Sequence, residues 1–190
     1  ESEWQSFRNN KNNEAFLDRI YIVKVPYCLR VTEEMRIYEK LISQDKVDAI
    51  LGPYSSPITD AVAEVSEKHR MPMISPGAAT TSIFKKGRRF VFMVLSPAEV
   101  YLEGLLDLAA KRGLKTVAVT HEDTLFPKAT ADGTVELAKR KGLQVVLVQA
   151  YAKGTSGFAA LAAKLREMNP DVVAAATYFD DAVAITRQLK

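Results

Sequence analysis

The chain has 190 residues, 47% hydrophobic and 26% charged, with a formal net charge of +3. That is room for one large or two small globular domains, with enough apolar surface to offset ordering entropy, so a disordered chain is not expected. The weak positive charge makes no case for nucleic acid, which needs basic residues concentrated on one face.

The single cysteine, Cys28, cannot form an intrachain disulfide and says little about compartment. His69 and His121 are far apart and lack ligand spacing, so no metal site is expected. No run approaches the roughly 20 apolar residues of a membrane span. The opening "ESEWQSFRNNKNNE" is polar and does not read as a signal peptide.

Residues 1–34 follow no clear pattern. "RIYIVKVPYCLRV" (Arg19 to Val31) reads as an edge strand, because Pro26 cannot donate to a central ladder. Beyond it two periods alternate. Met35, Tyr38, Leu41 and Ile42 share a helical face; "VDAIL" (Val47 to Leu51) is a short buried strand; Ile58, Ala61, Val62 and Val65 return to helical spacing. "MPMIS" (Met71 to Ser75) and "RFVFMVL" (Arg89 to Leu95) are strands, with the loop "PGAATTS" after the first. "KKGRR" (Lys85 to Arg89) reads as a solvated turn.

Ser96 and Pro97 resemble an N-cap and a first-turn proline. The helix they open should turn Val100, Tyr101, Gly104, Leu105 and Leu108 inward and end at "AAKRG", with cations in its last turn and Gly113 at its exit. "TVAVT" (Thr116 to Thr120) is a strand, and a helix from about Lys128 ends in "AKRKG". "LQVVLVQAY" (Leu143 to Tyr151) is a strand. Phe158, Leu161, Ala162, Leu165 and Met168 make a helical face, "DVVAAATY" (Asp171 to Tyr178) is a strand, and "DDAVAITRQLK" begins a last helix. The βαβα rhythm predicts an α/β fold of parallel sheets with helices on both faces.

In such sheets ligands bind beyond the carboxyl ends of the strands. The loops there are Gly52 to Ser56, Pro76 to Ser82, Glu122 to Phe126 and Tyr178 to Asp181. Ser56, directly before Pro57, reads as a helix N-cap, whose hydroxyl either satisfies a free amide or turns with the amides toward a carboxylate. Thr80 and Thr81 sit in a loop opened by Pro76 and Gly77. Spacing alone does not separate a ligand cradle from simple capping.

Catalytic signals are thin. Ser55 and Ser56 lack the flanks of a nucleophile elbow, and no glycine-rich phosphate loop or dinucleotide fingerprint follows a strand, so no cofactor is expected. Asp180 and Asp181 stand where a helix starts, a position that favours carboxylates without chemistry. His121 follows a strand without an evident partner. No catalytic residue is assigned, and an enzyme is not expected.

"YEKLISQDKVDAILGPYSSP", "MISPGAATTS", "FVFMVLSPAE" and "EMNPDVVAAATYFDDAVAITRQ" together resemble the periplasmic substrate-binding proteins of branched-chain amino acid ABC transporters, over about Met35 to Lys190. The resemblance implies two Rossmann-like lobes of a type I periplasmic binding protein around a cleft. It divides the chain into an atypical segment (1–34), a partial first lobe (35–95) and most of the second lobe (96–190). It implies a small-molecule ligand, an amino acid or related carboxylate such as an aromatic acid, a membrane permease as partner, and a periplasmic location.

By position, Ser56 matches the serine that grips the ligand carboxylate, and Gly77 and Ala78 the loop whose carbonyl takes the ammonium. The extra alanine of "GAATT" leaves Ala79 or Thr80 for the threonine that follows, with Thr80 preferred. Phe126 and Tyr178 match cleft-facing aromatics of the second lobe. The family's opening strands are not legible in residues 1–34, and its acidic partner for the ammonium falls beyond Lys190, so the chain reads as part of a binding protein. An incomplete lobe would expose apolar surface and favour self-association. The other readings are a cytosolic ligand-sensing regulator of the same fold and an α/β enzyme acting on a carboxylate.

Overall fold

A computed structural model describes residues 2–10, 13 and 30–189. The chain divides into two compact units, Glu1–Arg30 and Val31–Lys190. In the first, the Nδ2 of Asn13 donates to the carbonyl of Phe7 in α1 (Ser2–Arg8) at 2.9 Å. The edge strand expected over Arg19 to Val31, with Cys28, lies outside the described residues except at its end. Val31 is not strand but the first residue of a helix.

The second unit is built from two three-stranded parallel sheets. In the first, β1 (Ile50–Leu51), β2 (Met73–Ser75) and β3 (Val91–Met93) pair in chain order. The helices α2 (Val31–Ser43) and α3 (Ser56–His69) close over one face. Ile42, Val62, Ala63 and Val65 pack there on Ile50, Met73 and Val91. Ile50 pairs with Met73 and Met73 with Val91, so the three strand residues form one in-register row. The alternate row, Leu51, Ile74 and Phe92, is exposed, as the strand period of two requires.

The second sheet has order β5-β4-β6, with β4 (Thr116–Glu122) between β5 (Gln144–Tyr151) and β6 (Val172–Ala176). On one face α4 (Glu103–Lys111) and α5 (Leu125–Arg140) bring Leu106, Ala109, Ala131 and Ala138 onto Val117, Val119, Ala174 and Ala176. On the other, α6 (Ala159–Met168) and α7 (Phe179–Leu189) set Leu161, Leu165 and Ile185 against Ala118. Asp171 ties the start of β6 to β4. Its Oδ2 accepts the backbone N–H groups of Lys115 (2.8 Å) and Thr116 (2.9 Å). Those two bonds, then the Thr116 hydroxyl, hold the Asp171 carboxyl below the usual carboxylate range.

Several expectations need correction. Ser96–Pro97 does not open a long helix: Pro97 precedes a single 3-10 turn, Ala98–Val100, and α4 starts only at Glu103. The inward residues of α4 are therefore Leu106 and Ala109, with Leu105 half-buried against the same core as expected, while Val100, Tyr101, Gly104 and Leu108 are exposed. Helix α5 begins at Leu125, three residues before Lys128, because Thr124 is its cap and Pro127 sits within the first turn, where no backbone N–H is needed. Met168 is exposed on α6.

"KKGRR" is not merely a solvated turn. The Arg88 side chain is only 4% exposed. Its guanidinium donates to Asp60 Oδ1 at 2.8 Å, to Glu64, and to the carbonyls of Ile83 (2.9 Å) and Asp60 (3.0 Å). It staples the turn before β3 onto α3.

Candidate functional site: a cleft between the two sheets

The loops that leave β1, β2, β4 and β6 converge. They enclose a cavity of about 290 Å³ lined by Tyr54, Ser55, Ser56, Pro76, Gly77, Leu95, Tyr101, Phe126 and Tyr178. From one side comes the amino end of α3. Its cap is Ser55 rather than Ser56, because the Ser55 carbonyl accepts the first helical bond, from Thr59 N–H at 2.9 Å. Neither serine hydroxyl caps the helix, and its first turn carries no acidic residue. The positive end of the α3 dipole thus meets the cavity without a carboxylate of its own.

Ser56 is buried and lines the cavity, and its Oγ lies 3.1 Å from Thr80 Oγ1, which donates to it. Gly77 forms part of the wall. A side chain there would stand 2.4 Å from the Tyr54 ring and 2.7 Å from the Tyr54 carbonyl oxygen, so only glycine lets the two loops come together. Ala78 and Thr80 are fully buried behind this wall and do not line the cavity. The Ala78 N–H donates to Ser75 Oγ at 3.1 Å, which fixes the start of the loop.

The opposite wall is aromatic. Phe126, in the first turn of α5, meets Tyr101 edge-on (centroids 5.6 Å apart, planes at 71°) and Tyr178 at a tilt (6.1 Å, 36°). Burial pushes the Tyr178 hydroxyl up, outweighing its bond to Thr124, so the phenol stays neutral. Beneath it Thr124 Oγ1 donates to Glu122 Oε1 at 2.7 Å. Tyr151, at the end of β5, shares a hydrogen bond with Thr177 and donates to Asp181 Oδ2 at 3.0 Å. Burial raises the Tyr151 hydroxyl, and the Asp181 carboxylate adds to the rise. Asp181 is therefore an acceptor that positions the last strand end. His121 is buried, with Nδ1 2.9 Å from the Glu122 carbonyl oxygen. Among the described residues no group of His, Cys, Asp or Glu side chains could hold a metal ion.

Of the six residues singled out in the sequence, Ser56, Gly77, Phe126 and Tyr178 share this cavity; Thr80 touches it through Ser56, and Ala78 backs it. Tyr54 and Tyr101 were not foreseen as lining residues. Tyr101 fits the helical spacing of a core position. Because the helix starts two residues after it, that spacing does not apply, and the ring turns to Phe126 instead.

Two α/β lobes, each a parallel sheet with its helices, meeting at a cleft beyond the strand ends, is the architecture of a type I periplasmic binding protein. The chain belongs to the periplasmic binding protein family, whose model matches residues 29–190. It is 30% identical over 159 residues to a Leu/Ile/Val-binding protein homolog 8 from Brucella abortus, covering 78% of this chain and 39% of that protein. Among solved structures it resembles the leucine binding protein LivK from Thermotoga maritima (TM-score 0.74, 25% identity, 85% of this chain and 46% of that one). It also resembles a solute binding protein of an ABC transporter from Rhodopseudomonas palustris in complex with 4-hydroxybenzoate (TM-score 0.76, 19% identity, 88% and 45%). A stretch of 47 residues is 72% identical to the serine/threonine kinase YeaG of Escherichia coli, covering 25% of this chain but 7% of that protein. The chain thus spans less than half the length of these relatives.

Proposed function

We propose that this chain supplies the ligand cradle of a solute-binding protein that holds a small carboxylate, an amino acid or an aromatic acid, between its lobes. The observation that carries the reading is the cavity itself, with an uncompensated helix start and the Ser56 hydroxyl on one side and three rings in edge and tilted contact on the other. The carboxylate lies at the α3 amino end, against Ser56. Gly77 lets the loops close around it, and Phe126 and Tyr178 cover the apolar part of the ligand. Ala78 and Thr80 act from behind, Thr80 by orienting the Ser56 hydroxyl. Ligands named for the similar proteins, leucine and 4-hydroxybenzoate, are both of this chemical class. The same reading places the protein in the periplasm, delivering its ligand to an ABC permease.

Hydrogen bonds to charged groups contribute roughly 1.5–3 kcal/mol each. A few of them barely exceed an association cost of at least about 4 kcal/mol, so these loops alone hold a ligand weakly. The test is a thermal-shift series at high ligand concentration over amino acids and aromatic acids. At ten times a millimolar Kd the stabilisation is about 1.4 kcal/mol, a rise of roughly 3–6 °C for a chain this size. The expected result is a rise with one carboxylate that its primary amide does not give and that Ser56→Ala and Phe126→Ala lose. An equal rise with acid and amide, or none with any carboxylate, refutes it.

A further inference from the structure

Glu99 lies in the 3-10 turn Ala98–Val100, where the chain passes from β3 of the first lobe toward α4 of the second. Its backbone sits with the second lobe. A Cβ built on Gly133, in the middle of α5, would fall 2.1 Å from the Glu99 carbonyl oxygen and 2.4 Å from its Cα, so helix and turn are in direct contact. Its side chain reaches the first lobe. Oε1 accepts from the Thr81 hydroxyl at 2.5 Å and from the Thr81 N–H at 3.3 Å. Thr81 opens the short turn Thr81–Ile83, and its amide is one that the turn itself leaves free. One residue back the tie repeats through the backbone, Ala98 N–H donating to the Ala79 carbonyl at 2.8 Å.

These bonds hold the loop that carries Gly77, Ala78 and Thr80. The second carboxylate oxygen of Glu99 is buried with no hydrogen-bond partner among the described residues. A buried carboxylate satisfied on one oxygen is a poor choice for packing alone. It is a strong acceptor for two converging donors.

We propose that Glu99 is a positioning residue, which locks the Gly77–Thr81 loop of the first lobe to the turn pressed on α5 of the second and so sets the opening of the cleft. This rests on the reading of the cavity as the ligand site. The link runs from α3 through Ser56 and Thr80, to Thr81, to Glu99, to Gly133, and so to the helix whose first turn presents Phe126.

The test attaches spin labels to cysteines placed at the exposed residues His69 on α3 and Lys139 on α5, in a Cys28→Ser background, and measures the distance distribution between them. Calorimetry with leucine and with 4-hydroxybenzoate runs beside it on the same variants without labels. Glu99→Ala and Thr81→Val each broaden the distribution and weaken binding about tenfold, the scale of one charge-assisted hydrogen bond. Glu99→Gln, which keeps an oxygen for Thr81 to reach, brings back the parent distribution. A Glu99→Ala distribution as narrow as the parent's overturns the proposal, as does Glu99→Gln behaving like Glu99→Ala. If Glu99→Ala loses its far-ultraviolet circular dichroism, Thr81→Val decides in the same way. A parent chain that binds neither probe counts against the cavity reading, while the distance measurement still decides the role of Glu99.

Discussion

Glycine at the centre of a helix ordinarily costs stability, so replacing Gly133 by alanine would be expected to help by about 0.5–1 kcal/mol. The structure reverses that sign. The new methyl would stand 2.1 Å from the Glu99 carbonyl oxygen, 2.4 Å from its Cα and 2.5 Å from its carbonyl carbon. All three are backbone atoms that cannot rotate aside, and overpacking of this kind costs about 1–3 kcal/mol. The balance is a net loss centred on about 1 kcal/mol, or a fall in Tm of roughly 2–4 °C for a chain of this length. Gly104 in α4 is the control. It is exposed, and nothing lies within 4 Å of a methyl there, so Gly104→Ala should gain a few tenths of a kcal/mol. Urea unfolding of the two variants beside the parent reads both signs. A Gly133→Ala protein as stable as the parent would refute the close approach of α5 to the 98–100 turn.

Four further outcomes follow from the geometry. Gly77→Ala drives a methyl into the Tyr54 ring and carbonyl, so the thermal shift given by a carboxylate should disappear and the ligand-free Tm should fall, in the same sense as for Gly133→Ala. Arg88→Met leaves the Ile83 and Asp60 carbonyls without their donor and removes the bonds to Asp60 and Glu64; urea unfolding should show a loss of about 1–3 kcal/mol. Burial pushes the Asp60 carboxyl up, but hydrogen bonds and charge from Lys86 and Arg88 outweigh it and leave it below the usual range; its contribution is therefore full above an unfolded value of about 3.9 and lost as pH falls through the lower folded value. Urea midpoints measured down through that window should fall, and fall less steeply in Arg88→Met. Tyr151→Phe removes the donor to Asp181 and the bond to Thr177, and faster amide exchange at the end of β6 is the expected readout.

The fold was legible because its elements are short and strictly periodic. "VDAIL", "MPMIS" and "TVAVT" have nowhere to go but a buried parallel sheet, and basic last turns with glycine exits mark where helices stop. The boundaries were less so. The strands of the first sheet are two or three residues long, shorter than their apolar runs, because Val47 and Met71 pack on the core from outside the ladder. Ser96–Pro97 has the chemistry of a helix start, yet only the 3-10 turn Ala98–Val100 follows it and α4 begins at Glu103. The Arg88 staple was missed because its carboxylates lie 24 and 28 residues away, on an element whose orientation no local pattern states. Within the cleft, Ser56 and Gly77 were signalled by their place after strands. Tyr54 and Tyr101 were not, since an aromatic beside a turn has the same signature in a core as in a pocket.

The order of strands also bears on how each lobe can form during synthesis. In the first sheet every new strand is laid beside the one just made, β1, then β2, then β3, so the layer can grow as the chain leaves the ribosome. In the second the middle strand is made first and its far neighbour, β6, last. The helix layer of α4 and α5 packs on Ala174 and Ala176 of that final strand. Contacts over such separations form late, so this lobe must wait, with β4 open along one edge, until residue 176 has emerged. Until then the unpaired edge of β4 is the kind of surface that draws chaperones.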